Sequence, residues 1–299
     1  MKILVLGGSY FYGRVFVMQA SSEHTITVVN RGTYSMKDFG VSQLIGDRKD
    51  INLWKNCTED YDVIVDFCGY NKGDIKIVLD NISGRVQQYI FISTVDVYER
   101  GHKILMDEKG PLEKRSIPGE AGNYIIGKIE LEKELIFECV KRKISYTILR
   151  PAILYGPYNY APREALYIQM LVQNHILPYI KDATGKFQFV YIKDAADIII
   201  KCLLNTNSFN QIYNVCDDMI LDYHMFVNQL KEIADVEYEI IPMTKEQALS
   251  QNVPLPFPLT MEESELYSNI KSKVELNVCY TKFSEGLLKT YNAFKKVYM

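Results

Sequence analysis

Apolar positions in this chain fall into short, near-continuous runs. Lys2–Leu6 (KILVL), Thr25–Val29 (TITVV), Gln43–Ile45 (QLI), Asp62–Phe67 (DVIVDF), Gln88–Ile92 (QYIFI) and Ser145–Leu149 (SYTIL) are β-rich stretches of this kind. Helical spacing separates most of them, notably over Phe11–Ala20, Asp74–Leu79 and Asn123–Val140. Strands that are apolar on both faces and alternate with helices predict a doubly wound α/β fold, with a parallel sheet covered on both sides. Such sheets bind ligands beyond the carboxyl ends of their strands, where the strand order reverses. After Pro151 the texture changes. Tyr155–Arg163 (YGPYNYAPR) and Pro254–Pro258 (PLPFP) are rich in turn formers, while Phe187–Leu204 reads as a strand and helix returning to the first unit.

The first strand runs into Gly7-Gly8-Ser9-Tyr10-Phe11-Tyr12-Gly13, and a helix follows. A strand–turn–helix of this kind suits a pyrophosphate, because its backbone N–H groups meet the ligand at the helix N-terminus. Gly7 makes the tight turn, Gly13 lets helix and strand approach, and Ser9, Tyr10 and Phe11 complete the candidate cradle. A third glycine usually occupies the middle of such a turn, and here Tyr10 stands there. The expectation is that Gly8 takes the close approach and Tyr10 points away. The second strand ends in Val29-Asn30-Arg31-Gly32. NAD sites commonly place an acid here for the ribose 2′-OH. Asn30 is neutral and Arg31 pairs well with a 2′-phosphate, which favours NADP, with NAD as the alternative. Asp47, after the third strand, is a candidate acceptor for the adenine amine. The expected organisation is a Rossmann-like dinucleotide-binding domain over residues 1–154 plus about 187–205, and a smaller C-terminal substrate-binding domain over the remainder of 155–299.

Tyr124-Ile-Ile-Gly-Lys128 supplies candidate chemistry, since residues four apart share a helix face. A free phenol has a pKa of about 10, and a nearby ammonium favours the phenolate. Lys128 is also suited to hold a nicotinamide ribose. Tyr267-x-x-x-Lys271 and Tyr291-x-x-x-Lys295 share the spacing, but only the first follows the fifth strand. That strand ends in Ser93-Thr94, and either hydroxyl suits a substrate oxygen.

Composition narrows the partners. Net charge is −3 with no basic block, so nucleic acid is not expected. The six cysteines and four histidines are scattered, which predicts neither a metal site nor a disulfide framework and suits a reducing cytoplasm. The run Ile3–Leu6 is too short for a signal-peptide core, and no stretch reaches the ~18 apolar residues of a membrane span.

Taken together, GGSYFYG, FISTVDVY, YIIGK, LRPAILYGP, FVYIKDAADII and SKVELNVCYTKFSEGLLKTY resemble the extended short-chain dehydrogenase/reductase superfamily. They are most similar to its NAD-dependent epimerase/dehydratase branch. GGSYFYG with NRG and GDR resembles an atypical subgroup with a GGxxxxG turn, which also holds plastid RNA-binding relatives. The resemblance implies a catalytic Thr94, Tyr124 and Lys128, with Phe67, Cys68, Gly69 and Pro151 bordering the cofactor. It implies hydride transfer on a hydroxyl or carbonyl of a small polar, sugar-like substrate, by an oxidoreductase or epimerase. It also implies a homodimer through the Tyr-bearing helix, where Ile125, Ile129, Leu135, Ile136 and Val140 serve that contact or the core. Three positions depart from the pattern. Val95 replaces one of the two dehydratase acids, leaving Asp96. Ile153 and Phe187 stand where nucleotide-sugar enzymes carry polar anchors. The rival reading is a non-catalytic dinucleotide-binding redox sensor or an RNA-associated protein.

Overall fold

The computed structural model describes residues 1–55, 57–101 and 105–299. The first half alternates strands and helices: β1 (Lys2–Leu6), α1 (Phe11–Ala20), β2 (Thr25–Asn30), β3 (Ser42–Ile45), α2 (Ile51–Lys55), β4 (Tyr61–Asp66), α3 (Asp74–Asn81), β5 (Val86–Ile92), α4 (Gly119–Arg142) and β6 (Ser145–Pro151). The second half contains β7 (Ile153–Tyr155), α5 (Glu164–Gln169), β8 (Ile176–Ile180), β9 (Lys186–Tyr191), α6 (Ile192–Cys202), β10 (Gln211–Val215), β11 (Ile220–Asp222), α7 (Tyr223–Ile233), β12 (Glu239–Met243), α8 (Lys245–Ser250), α9 (Ile270–Leu276) and α10 (Phe283–Tyr298). Among the described residues, no helix is long and apolar enough to cross a membrane.

Seven strands form one sheet in the order β10-β6-β5-β4-β1-β2-β3, and every pairing is parallel. The order reverses at β1. Leu6 at its end lies opposite Val29 on one side and Asp66 on the other. The crevice therefore opens between the glycine turn and the end of β4, as expected for a switch point. Alternation along each strand divides the core. Ile3, Val5, Val63, Val65, Ile90 and Ile92 point to the face covered by α1 and α6. Leu4, Leu6, Ile64, Tyr89 and Phe91 point to the other face, with Trp54, Val78, Leu131 and Leu135. The first cluster continues without a break into Tyr155, Phe189, Phe226, Phe257, Phe283 and Tyr291, so the two halves share one apolar core.

Two features differ from the sequence pattern. The last strand of the main sheet is β10, whose apolar run is interrupted by Gln211 and Asn214. Asn214 is fully buried, accepts from Tyr98 Oη at 2.7 Å and donates to the Met106 and Ser268 carbonyls. Those partners satisfy a polar residue that disguises the strand. The strand β9 does not join the main sheet. It pairs with β7 and β11, while α6 returns to α1, where Tyr12 Oη donates to the Ala195 carbonyl at 2.9 Å. On α4, Ile125, Ile129 and Leu135 are buried, Ile136 is half-buried and Val140 is exposed.

Candidate active site

Gly7 and Gly8 have φ of +95° and +72°, a region that disfavours side chains. A Cβ on Gly13 would lie 2.6 Å from Gly8 Cα, backbone against backbone, so α1 starts directly on the turn. Half-buried Ser9 links the glycines to Tyr10, the residue preceding α1, and Phe11 is buried behind it. Tyr10 is extended and gives the helix no side-chain cap. The first N–H groups of α1 are therefore left for a ligand. Its phenol leaves the turn and donates to Tyr34 Oη at 2.7 Å.

At the end of β2, Asn30 is 9% exposed. Its Oδ1 accepts from Gly32 N at 2.8 Å and Gln43 Nε2 at 2.9 Å. Its Nδ2 has no partner among the described residues. Arg31 beside it is exposed. Asp47 is exposed, and its Oδ1 accepts from Lys49 N at 2.8 Å in a local turn. The neighbouring Arg48 turns inward. It clamps Asp66 at 3.1 and 2.8 Å. Tyr89 Oη and Cys68 N also donate to that carboxylate. Burial raises the Asp66 carboxyl, but Arg48 and these donors hold it below its ordinary value. Burial pushes the half-buried Cys68 thiol up to about 12, so it stays neutral. Half-buried Phe67 packs on Tyr12 at 5.3 Å, and buried Gly69 is held open by Phe91 and Asp66, which a Cβ would meet at 3.0 and 3.3 Å. Pro151 is buried at the end of β6.

The donor set fits a dinucleotide. An uncapped helix start beside a glycine cradle suits pyrophosphate, and the orphaned Asn30 Nδ2 with Arg31 suits the adenosine ribose end.

The helix α4 brings Lys128 back to the strand ends. Its Nζ is buried and donates to the Gly69 carbonyl at 2.9 Å and the Ile92 carbonyl at 2.8 Å. It lies over the rings of Tyr70, Phe91 and Tyr124 at 5.0, 4.7 and 5.8 Å. Burial pushes its pKa down to about 8. Burial raises the Tyr124 phenol well above its ordinary value, and the Asp96 charge adds to this, while the neighbouring Thr94 hydroxyl opposes it. The expected lowering by Lys128 does not prevail over the desolvation of the phenol.

The geometry separates Ser93 from Thr94. Ser93 Oγ donates to Glu132 Oε1 at 2.6 Å, behind the site. Glu132, one turn beyond Lys128, also takes Arg150 Nε and Nη2 at 2.9 and 2.6 Å. Thr94 faces Tyr124 instead and donates to Asp96 Oδ2 at 3.0 Å. The other two Tyr/Lys pairs are structural. Lys271 binds Gln211 and the Ile212 carbonyl, while Tyr291 and Lys295 both bind Asp235. Sequence reading missed Glu132, Arg150 and Arg48. Only the i+8 spacing from Tyr124 hints at Glu132.

A glycine turn at the switch point of a seven-stranded parallel sheet, with Tyr-x-x-x-Lys near the strand ends, agrees with the fold that the resemblance to the extended short-chain dehydrogenase/reductase superfamily implies. Residues 78–216 match the model of the NAD dependent epimerase/dehydratase family, which bears out that reading of the sequence. Over 242 residues the chain is 26% identical to the chloroplast stem-loop binding protein of 41 kDa b of Arabidopsis thaliana, covering 74% of this chain and 60% of that protein. Over 145 residues it is 27% identical to a UDP-glucose 4-epimerase of Vibrio cholerae, covering 48% of this chain and 43% of that protein. The matched stretches thus span only about half of these relatives' own lengths. A UDP-glucuronic acid 4-epimerase of Bacillus cereus, solved with UDP-glucuronic acid and NAD, superposes over 100% of both chains with a TM-score of 0.77 at 17% identity, which shows the shared fold.

Proposed function

We propose that the chain is an NADP-preferring oxidoreductase or epimerase acting on a hydroxyl or carbonyl of a small polar molecule. The observation that carries this is Lys128, bonded to the Gly69 and Ile92 carbonyls after β4 and β5, lying over the Tyr124 ring at 5.8 Å with Thr94 beside that phenol. When bound, the nicotinamide would supply hydride exchange with a substrate carbon. Thr94 would hold the substrate oxygen, and Tyr124 would pass it a proton. A phenol raised above its ordinary value is protonated at neutral pH, the form needed to protonate a carbonyl oxygen during reduction. Lys128 would orient the ribose with its remaining donor.

The donor pair Asn30 Nδ2 and Arg31 supports a 2′-phosphate, since Asn30 Oδ1 is already engaged and the residue ending β2 is an amide, not an acid. The B. cereus neighbour was solved with NAD, so NAD is the competing coenzyme. The substrate side supports a small ligand. A cavity of about 110 Å³ begins at Val95 and Asp96 and is bounded by Arg100, Ile153, Phe187 and Glu265. Phe187 is stacked on Phe257 at 5.0 Å and presents no charge to a diphosphate.

Calorimetry with NADP and NAD tests the first half, and a turnover panel of hydroxy and keto compounds tests the second. Tyr124→Phe should lower turnover by about 10²-fold or more and leave coenzyme binding within a few-fold. Failure to take up either coenzyme, or full turnover by Tyr124→Phe, would overturn the reading. Coenzyme uptake without turnover across the panel would favour the sensor alternative.

A further inference from the structure

The loop between β7 and α5 carries features that the triad does not use. Its base is locked. Buried Glu164 accepts from Gly156 N at 3.1 Å and takes Asn159 Nδ2 on both oxygens at 2.8 and 2.9 Å, while Asn159 Oδ1 accepts from Ala161 N at 2.9 Å. Its tip presents two exposed tyrosines, Tyr158 and Tyr160. Tyr158 takes the Arg14 guanidinium over its ring at 5.2 Å. Tyr160 is 70% exposed, yet it is not free. Its ring stands edge-to-face with Tyr10 at 5.5 Å and with Phe11 at 6.2 Å. Tyr10 in turn stands edge-to-face with Tyr34 at 4.5 Å, hydroxyl to hydroxyl. The Tyr160 phenol also lies near enough to Tyr70 and Tyr124 for its charge to help raise both.

We propose that Tyr160, seated on Phe11 and on Tyr10, which Tyr34 braces, is an aromatic strap across the dinucleotide's path that sets how long the coenzyme stays bound. This rests on the proposed function. The reasoning is positional. The pyrophosphate end of the crevice is the glycine turn, and the nicotinamide end is Tyr124 with Lys128. Tyr160 touches the first and neighbours the second, so a dinucleotide joining them passes against its ring. Tyr10, the residue that departs from the usual glycine turn, then has a use: it gives the strap a partner on the turn itself. The seat is built of exposed edge-to-face contacts, each a few-fold in an equilibrium, so the strap can part to admit and release ligand. The buried Glu164 anchor returns the loop to one position.

Stopped-flow release tests this. Protein preloaded with NADPH, and with NADH in a parallel series, is mixed with excess oxidised coenzyme while reduced-nicotinamide fluorescence is followed. Tyr160→Ala should release about tenfold faster than wild type. Tyr160→Phe keeps the ring and should release within about twofold of wild type, and Tyr34→Phe should fall between them. Tyr160 is exposed enough that folding should be spared, and melting curves check this. Unchanged release from Tyr160→Ala, or equally fast release from Tyr160→Phe, would overturn the strap alone. No uptake of either coenzyme by wild type would overturn the proposed function and the strap with it.

Discussion

Replacing Lys128 with Met should change how stability depends on pH. In the folded chain the ammonium is buried against the Gly69 and Ile92 carbonyls, and burial moves its pKa from 10.5 to about 8. The unfolded chain keeps the ordinary value, so from pH 8 to 10.5 it binds more protons at this site than the folded chain does. Stability from this group therefore rises with pH across that window, and below pH 8 the full penalty of a buried charge is present. At 1.36 kcal/mol per unit, a shift of this size relieves about 2 kcal/mol between pH 7 and pH 9.5. Buried thiols act in the opposite direction. Cys68, Cys139 and Cys202 are pushed up to about 12 by burial, so they lose stability where the unfolded thiols ionise. Both proteins carry those thiols, and the difference between the two cancels them. Urea unfolding of wild type and Lys128→Met at both pH values is the assay. The gap should move by about 2 kcal/mol in favour of wild type on going to pH 9.5. A gap constant within about 0.5 kcal/mol, or one moving toward the variant, would refute a buried, depressed ammonium at this position.

Three further outcomes follow from the same structure. Glu132→Ala strands the Arg150 charge and the Ser93 hydroxyl in the core, and should cost about 3–5 kcal/mol in urea unfolding. Pairing Glu132→Leu with Arg150→Met should cost less than the sum of those two single changes, and a fully additive pair would show that the ion pair is not coupled. Gly13→Ala sets a Cβ against the backbone of Gly8 at 2.6 Å. It should lose about 1–3 kcal/mol together with coenzyme uptake, and calorimetry showing wild-type binding would contradict the close approach.

Much of the fold is legible because strand runs and helix spacing are local properties. KILVL gives β1 and FYGRVFVMQA gives α1 with the bounds read from sequence. The strand β10 is less legible, because Asn214 is polar and its partners Tyr98, Met106 and Ser268 are far away in the chain. Arg48 shows the same limit at the site. Nothing in GDR says that the guanidinium turns inward, since Asp66 and Tyr89 reach it only when β4 and β5 are in place.

The chain's own pattern determined the alternation of strands and helices, the glycine turn at residue 7 and the Tyr124/Lys128 face, all of which depend on neighbours a few residues apart. Tertiary structure set the environments of Ser93 and Thr94 apart, since Glu132 of α4 takes the first hydroxyl while the second donates to Asp96 beside Tyr124. It also set the direction of the Tyr124 shift, upward instead of the expected lowering. A pKa reflects everything that surrounds a group, and desolvation together with the Asp96 charge outweighs a spacing of four residues.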